Sequence, residues 1–336
     1  FKNLSYILDI YMGKTEPCKG FFPYAVYSTM FPHMTAGPIV RYTDISESIS
    51  RRSINTTRLG AGAELFIKGL SKKVLLADNL SALYTTLQAS GTTSFVGTWL
   101  AIGAYTLELY FDFSGYSDMA IGLGQMLGFN FNKNFDYPYI STSVSEFWRR
   151  WHISLGSWFR DYIYIPLGGN RVSTGRHIRN ILVVWALTGL WHGASWNFVF
   201  WGIYYGLLLL AEKFLLGRFL EKAPVWLRNL YTMFAVIIGW VFFSQTTPAA
   251  IGKMLGSMFG LGASCFADRA SLYALKSGLI LMIISVISCR PGLYQYFKRL
   301  ARRNTYLAAV INAILFFLCI AYMIYSSYTP FMYQQF

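Results

Sequence analysis

Long apolar runs with few or no charged residues recur along the chain and predict helices that cross a membrane. A spanning helix needs about 20 predominantly apolar residues. Five runs approach or reach that length: 95–107, 178–210, 230–243, 274–288 and 307–328. The second run is long enough for two crossings. Because backbone polar groups in lipid must be paired within their own segment, we expect an all-α, polytopic membrane protein.

The stretch 21–40 is apolar but interrupted, and it predicts a kinked or re-entrant element rather than a clean span. Three prolines fall in it: Pro23, Pro32 and Pro38. Proline breaks or kinks a helix. We interpret residues 1–20 as an interfacial segment leading into this element. His33 lies within it and is interpreted as structural, because a kinked segment frees backbone groups that an imidazole can satisfy.

Charged residues interrupt two further stretches. The apolar face of 59–80 is broken by three lysines: Lys68, Lys72 and Lys73. This pattern predicts an amphipathic helix at the cytoplasmic surface or a short span with snorkelling lysines. Three carboxylates follow at or near membrane depth: Glu108, Asp112 and Asp118. Such groups turn toward a protein interior or a watery cavity, and both ion pairing and a direct catalytic role are open.

An aromatic helix is predicted to begin at Ser145 and Glu146. Large residues then recur every three or four positions: Phe147, Trp151, Leu155, Trp158 and Tyr162. His152 falls on a neighbouring stripe, close to Arg149 and Arg150. The segment is too polar to face lipid, so we expect an interfacial or cavity-lining helix that ends near Pro166.

His192 lies at the inner end of an apolar run that carries no charge after Arg179. About 13 residues at 1.5 Å each place it about 20 Å along a helix, near or beyond the midplane of a hydrocarbon core about 30 Å thick. A titratable imidazole at that depth is costly unless it has a hydrogen-bond partner or a functional role. From the residues alone, catalysis and a core hydrogen bond are equally supported.

Composition agrees with a membrane protein and argues against nucleic-acid binding. Apolar residues make up 54% of the chain and charged ones 13%, against about 25% charged residues in ordinary soluble domains. The net charge is +14, but the basic residues fall between apolar runs rather than on one soluble face. We expect these basic loops on the cytoplasmic side, in contact with anionic lipids.

The sequence lacks the usual signatures of several enzyme classes. The four cysteines are scattered without a CxxC pair, which predicts neither a disulfide framework nor a zinc site. Nucleophile-elbow, P-loop and dinucleotide-binding motifs are absent. A neutral imidazole can instead take a proton from a hydroxyl that attacks an acyl carbonyl, or accept the acyl group itself.

Four segments together resemble the membrane-bound O-acyltransferase family. They are FPHMTAGPIVRY (31–42), FDFSGYSDMAIGLGQMLGF (111–129), SEFWRRWHISLGSWFRDYIYIPLGGNR (145–171) and LTGLWHGASWNFVFWG (187–202). Within the family they are most similar to the alginate O-acetylase branch, and the terminal PFMYQQF is similar to that branch's ending. The resemblance covers essentially the whole chain.

The resemblance implies that residues 1–336 form a single acyltransferase domain, a multi-helix bundle around a central tunnel with re-entrant and interfacial helices. It also implies that N-terminal helices usual in the family are missing. His192 corresponds to the family's membrane-embedded histidine and His152 to its second functional histidine. The implied activity moves an acetyl group from a cytoplasmic thioester, acetyl-CoA, toward hydroxyls of an exported polysaccharide such as alginate. No bound cofactor is implied.

The same resemblance gives expectations for partners and binding residues. An extracytoplasmic acetyltransferase protein is the expected partner, and the bacterial inner membrane the expected location. We expect Arg149, Arg150 or Arg160 to meet the phosphates of CoA. The residues expected to line the tunnel are Trp191, Trp196 and Asn197.

Three rival interpretations remain open. D-alanyl transfer to teichoic acid shares the fold and takes its acyl group from a carrier-protein thioester. A polysaccharide or proton-coupled transporter would use the histidines as a proton relay, although no duplicated half is visible. A non-catalytic assembly scaffold is the third. The acceptor is also open among alginate, other exopolysaccharides, cellulose and peptidoglycan.

Overall fold

The computed structural model describes residues 1–34, 37–325 and 331, and within these residues the chain is helical without strands. Its α-helices in chain order are α1 (Lys2–Tyr11), α2 (Phe21–Thr29), α3 (Tyr42–Ser50), α4 (Thr56–Ser71), α5 (Asp78–Ala89), α6 (Phe95–Met126), α7 (Val144–Arg150), α8 (Ile153–Phe159), α9 (Thr174–His192), α10 (Trp196–Ala211), α11 (Gly217–Lys222), α12 (Val225–Ser244), α13 (Pro248–Met258), α14 (Arg269–Ser288), α15 (Pro291–Arg303) and α16 (Thr305–Tyr325). π-helical turns join α4 to α5 (Lys72–Ala77), follow α8 (Arg160–Tyr164) and join α10 to α11 (Glu212–Leu216).

Four helical stretches among the described residues are long and apolar enough to cross a membrane. They are Trp196–Lys222, Val225–Ser244, Arg269–Ser288 and Thr305–Tyr325. The predicted all-α, polytopic membrane protein is therefore confirmed. The long run 178–210 divides, as its length suggested, into α9 and α10, which are separated at residues 193–195.

Helices α1, α2 and α3 form a small cluster packed around Tyr27 and Ile45, both fully buried. The prediction of a kinked element is confirmed, since α2 ends at Thr29 and only a 3₁₀ turn, Phe31–His33, follows it. The chain's terminal PFMYQQF, quoted for the family resemblance, lies outside the described residues except for Phe331.

Helix α6 is the centre of the bundle. The apolar run 95–107, predicted as part of a membrane-crossing helix, is the first part of this 32-residue helix. Most residues of α6 are buried, and the helix contacts α4, α5, α12, α13 and α14. It is therefore a core helix surrounded by protein over most of its length.

Two pairs of glycines let α4 and α6 approach backbone to backbone. A Cβ on Gly62 would lie 2.6 Å from the carbonyl oxygen of Gly122, and a Cβ on Gly69 would lie 2.5 Å from that of Gly115. The two pairs are one heptad apart on both helices, so they fall on one face of each. Small residues at such positions allow close contact between membrane helices.

The close contact brings lysines of α4 and the following π-helical turn against carboxylates of α6. Lys72 Nζ lies 2.8 Å from Asp118, and Lys73 Nζ lies 2.7 Å from Asp112. The prediction of a surface helix or snorkelling lysines is therefore wrong for these residues. A buried ammonium group needs a charged partner, and α6 provides the partner inside the bundle.

The predicted continuous aromatic helix is also wrong, because the chain breaks at His152. Helix α7 ends at Arg150 and α8 begins at Ile153, with His152 between them at a φ of 45°. The capping residue lies two positions earlier than expected, since the side chain of Ser143, not Ser145, accepts a hydrogen bond from the amide of Glu146. The aromatic stripe is nevertheless buried on both sides of the break.

We expect Gly69→Val to lower the apparent Tm of the detergent-purified protein, because the added side chain must push α4 away from α6. Overpacking of this kind costs about 1–3 kcal/mol. Gly60→Val is the matched control on the same helix, since a Cβ at Gly60 meets no other atom within 4 Å. Unfolding on heating is followed by size-exclusion chromatography. An equal fall in the apparent Tm of both variants would contradict the close contact between α4 and α6 at Gly69.

Candidate active site

His152 occupies a left-handed backbone conformation that non-glycine residues rarely adopt. Its imidazole is buried, edge-on to Phe113 at a centroid distance of 4.7 Å. Asn134, which is fully buried, holds both the ring and the backbone around it. The Asn134 carbonyl accepts a hydrogen bond from the amide of Ile153 at 2.9 Å, and the Asn134 Oδ1 lies 3.2 Å from His152 Nδ1. Strained residues held this firmly are typical of functional sites.

The hydrogen bonds around Asn134 determine which nitrogen of His152 carries the proton. The amide of Ser154 can only donate, and it lies 3.2 Å from Asn134 Oδ1, so that atom is the acceptor. The Asn134 side-chain nitrogen correspondingly donates to Ser117 at 3.1 Å. His152 Nδ1 must then donate to Oδ1. In a neutral imidazole the other nitrogen, Nε2, is left with its lone pair and can accept a proton.

His192 is the last residue of α9, at the point where the chain turns into α10. Four aromatic rings surround its imidazole: Trp191, Phe198, Trp201 and Phe243, with centroid distances between 4.8 and 6.0 Å. Gly189 and Gly202 allow α9 and α10 to touch, since a Cβ on either would lie within 2.5 Å of a backbone oxygen of the other helix. This tight hairpin presses Phe198 against His192.

Trp191 links the two histidines. Its ring centroid lies 4.8 Å from that of His192 and 6.1 Å from that of His152. Residues 40 positions apart in the sequence therefore share one aromatic wall. The sequence predicted Trp191 as a lining residue, and the structure places it between the two imidazoles.

A cavity of about 540 Å³ lies beside His152. It is lined by residues of α7, α8 and α9, among them Trp148, Arg149 and Arg160. Arg149 is exposed and forms no ion pair with any described residue. A cation without a partner at the edge of a cavity is suited to bind an anionic group.

The other two predicted arginines are already paired. Arg150 does not line this cavity; it binds Glu146 at 2.9 Å and Asp136 at 3.7 Å. Arg160 lines the cavity but binds Asp161 at 2.7 Å. Burial alone would raise the pKa of Asp161, but hydrogen bonds from Arg160 and from a second arginine hold it below its usual value. The carboxylate therefore stays charged and keeps Arg160 engaged.

The remaining predicted residues lie elsewhere. Trp196 is 67% exposed and stacks on Phe200, so it is not part of the wall around the histidines. Asn197 is buried, and its Oδ1 has no hydrogen-bond partner among the described residues. His33 contacts Lys2 and Phe131 near the N-terminal cluster. The structure brings together His152, His192 and Trp191, and Arg149 lines the same cavity as His152.

Glu212 is a residue that sequence reasoning missed. Its carboxylate accepts hydrogen bonds from the amides of Val144 and Ser145 at 2.5 and 2.9 Å, and so caps the first turn of α7 from a different helix. A carboxylate at the N-terminal end of a helix is also stabilised by the positive end of the helix dipole. The contact fixes α7, which carries Trp148 and Arg149. Glu212 begins a π-helical turn at residues 212–216, and no sequence pattern there predicted the turn or the contact with α7.

A family model for the membrane-bound O-acyltransferases matches residues 19–251, which include α6, both histidines and the cavity. The chain belongs to the membrane-bound O-acyltransferase family. Members with related sequences act on different polymers, according to their names.

The chain is 41% identical over 304 residues to "Probable alginate O-acetylase AlgI" of Azotobacter vinelandii, covering 89% of this chain and 60% of that protein. It is 36% identical over 248 residues to "Peptidoglycan O-acetyltransferase" of Helicobacter pylori, covering 72% and 47%. A "Teichoic acid D-alanyltransferase" of Streptococcus thermophilus is 32% identical over 200 residues, covering 54% and 47%. The chain thus spans about 60% of the length of the first of these relatives.

We expect ¹⁵N nuclear magnetic resonance of histidine-labelled protein to show neutral His152 protonated at Nδ1. The signal is assigned by its disappearance in His152→Gln. In Asn134→Ala the preference for Nδ1 should be lost, because the acceptor Oδ1 is gone, whereas Ser157→Ala, on the same short helix, should preserve it. A neutral His152 protonated at Nε2 in the wild type would contradict the hydrogen-bond assignment.

Proposed function

We propose that this protein is a membrane O-acetyltransferase. In this proposal it takes an acetyl group from a thioester, acetyl-CoA, on the cytoplasmic side of the bacterial inner membrane. It passes the group toward hydroxyls of an exported polysaccharide such as alginate, through an extracytoplasmic partner protein. The observation that carries the proposal is the meeting of His152 and His192 at Trp191, beside a cavity edged by the unpaired Arg149.

The names of the relatives support acyl transfer to an exported polymer. Two of them are O-acetylating proteins, of alginate and of peptidoglycan, and they match 89% and 72% of this chain. The D-alanylating relative matches a smaller share, 54%, at lower identity. The acetyl group is therefore the better supported cargo, and alginate or a related exopolysaccharide the better supported acceptor.

The proposed reaction needs one group that accepts a proton and then returns it. An acceptor hydroxyl attacks the thioester carbonyl while His192 takes the hydroxyl proton. The new C–O bond forms, the C–S bond breaks, and the proton passes to the departing sulfur to give free CoA. His152, with its Nε2 available, assists by orienting or relaying that proton.

Arg149 is proposed to bind a phosphate of the donor. It edges the 540 Å³ cavity without a carboxylate partner, whereas Arg150 and Arg160 are engaged. Ligand sites combine mainly apolar walls with a few polar anchors, and the indoles of Trp148 and Trp151 form part of these walls. The cavity volume falls within the usual range of about 300–1,000 Å³ for small-ligand sites.

We expect His192→Ala and His152→Ala each to lower acetyl-CoA turnover by on the order of 100-fold or more, the usual contribution of general acid–base catalysis. Release of free CoA is measured with the protein in nanodiscs, with the partner protein or a model glycan as acceptor. The control is His177→Ala, at the opposite end of α9, where His177 contacts Tyr164 and Lys213. All variants must remain monodisperse.

The outcomes of this assay separate the rival functions. Wild-type turnover in both active-site variants would overturn the catalytic assignment. Absence of CoA release from the wild type, with turnover of a D-alanyl carrier-protein thioester, would establish the D-alanyl alternative instead. Failure of both donors would leave a transporter or a scaffold.

We expect Arg149→Gln to raise the KM for acetyl-CoA by about tenfold or more, since a hydrogen bond to a charged group contributes about 1.5–3 kcal/mol. The KM for acetyl-pantetheine, which lacks the phosphates, should not change. Arg176→Gln is the control, because this exposed arginine of α9 does not line the cavity. An equal rise for both donors would contradict a phosphate contact.

A further inference from the structure

A second cavity, of about 360 Å³, lies among α4, the π-helical turn that follows it, α14, α15 and α16. It shares no lining residue with the cavity beside His152. Its walls are mainly apolar, and they include Leu75, Phe111, Phe297 and Leu315. Neither the family match nor the proposed reaction gives this cavity a role.

The cavity has more positive than negative charge. Lys68 and Lys72 both line it, and both bind the single carboxylate of Asp118, at 3.1 and 2.8 Å. Arg290 also lines it and forms no ion pair with any described residue. Glu64, the acidic residue in the lining, is shared with Lys298 at 3.8 Å. An excess of cations in a half-buried, apolar place is costly unless an anion enters.

The helices around the cavity place it at a membrane surface. Helix α15 connects the end of α14 to the start of α16, and both of those helices are candidate spans. Residues 290–303 contain five basic residues and no acidic one. None of the residues of α15 is buried in the protein. An amphipathic basic helix of this kind lies in the lipid–water interface and attracts anionic headgroups.

The depth of the cavity fits a lipid rather than a soluble anion. Asn312 lines it and lies about 10 Å along α16 from Thr305, at 1.5 Å per residue. Arg290 precedes the basic helix α15, whereas Asn312 and Leu315 lie about two to three turns into α16. A headgroup phosphate at the basic end would therefore leave room for an acyl chain against the apolar walls.

We propose that this cavity binds one anionic phospholipid, with its phosphate between Arg290 and the Lys68–Lys72 pair and an acyl chain along α14 and α16. The bound anion supplies the negative charge that Asp118 and Glu64 together do not provide for the surrounding cations. The lipid thereby joins α4 to the last two spans.

Native mass spectrometry of the full chain tests the proposal. The protein is prepared in mixed micelles that contain equal amounts of phosphatidylglycerol and phosphatidylcholine. We expect one phosphatidylglycerol to stay bound after detergent removal, in clear preference to phosphatidylcholine. Millimolar inorganic phosphate should not displace it, because phosphate lacks the acyl chain.

Two matched pairs of variants locate the site. Arg290→Gln should weaken phosphatidylglycerol retention about fivefold, whereas Arg299→Gln, exposed on α15 and outside the cavity, should not. Leu315→Trp should fill the apolar part and lower retention, whereas Leu318→Trp, exposed on the same helix, should not. Equal retention of the two lipids, displacement by phosphate, or an equal effect within either pair would overturn the proposal.

Discussion

The backbone contact between α4 and α6 is the constraint on which the bundle depends. Gly62 with Gly122 and Gly69 with Gly115 leave no space for a Cβ at either crossing point. Because the helices are so close, the ammonium groups that follow Gly69 reach carboxylates of α6 and are neutralised inside the protein. Helix α6 is fixed in this way, and the same helix carries the Phe113 ring and the Ser117 hydroxyl that support His152 and Asn134. The contact between α4 and α6 therefore helps to fix the position of His152.

The region of His152 shows how the protein maintains an unfavourable backbone conformation. A left-handed non-glycine residue costs on the order of 1–3 kcal/mol. Asn134 offsets this cost with two acceptors: its backbone carbonyl accepts a hydrogen bond from the Ile153 amide, and its side-chain Oδ1 accepts one from the Ser154 amide. Glu212 anchors the other end of α7. The break ends α7 and lets the ring of His152 lie against the wall formed by Trp191, which an uninterrupted helix from 145 to 165 would not arrange.

The sequence predicted several of the spans and pointed to two histidines as candidates, but it did not show how the two imidazoles come together. Apolar runs predict spans because lipid requires long uncharged helices, and the runs at 230–243 and 274–288 lie within α12 and α14. The break at His152 left no signal, since histidine is not a residue that periodicity marks as a helix end. Asn134 lies in the polar stretch 130–137, which has no period. Trp196 was expected to line the tunnel on the family resemblance, yet its side chain at the start of α10 is 67% exposed.

Whether a basic residue of this protein can bind an anion depends on whether a carboxylate already pairs with it, not on the total number of basic residues. The chain carries a net charge of +14, but near His152 the carboxylates of Glu146 and Asp161 occupy Arg150 and Arg160. Arg149 alone of these three is left for an incoming anion. In the second cavity, which Lys68 and Lys72 both line, the single carboxylate of Asp118 forms ion pairs with both lysines. A count of basic residues cannot distinguish these situations, because a charge that is already paired offers little to a ligand. The distribution of carboxylates therefore decides where this protein can bind anions.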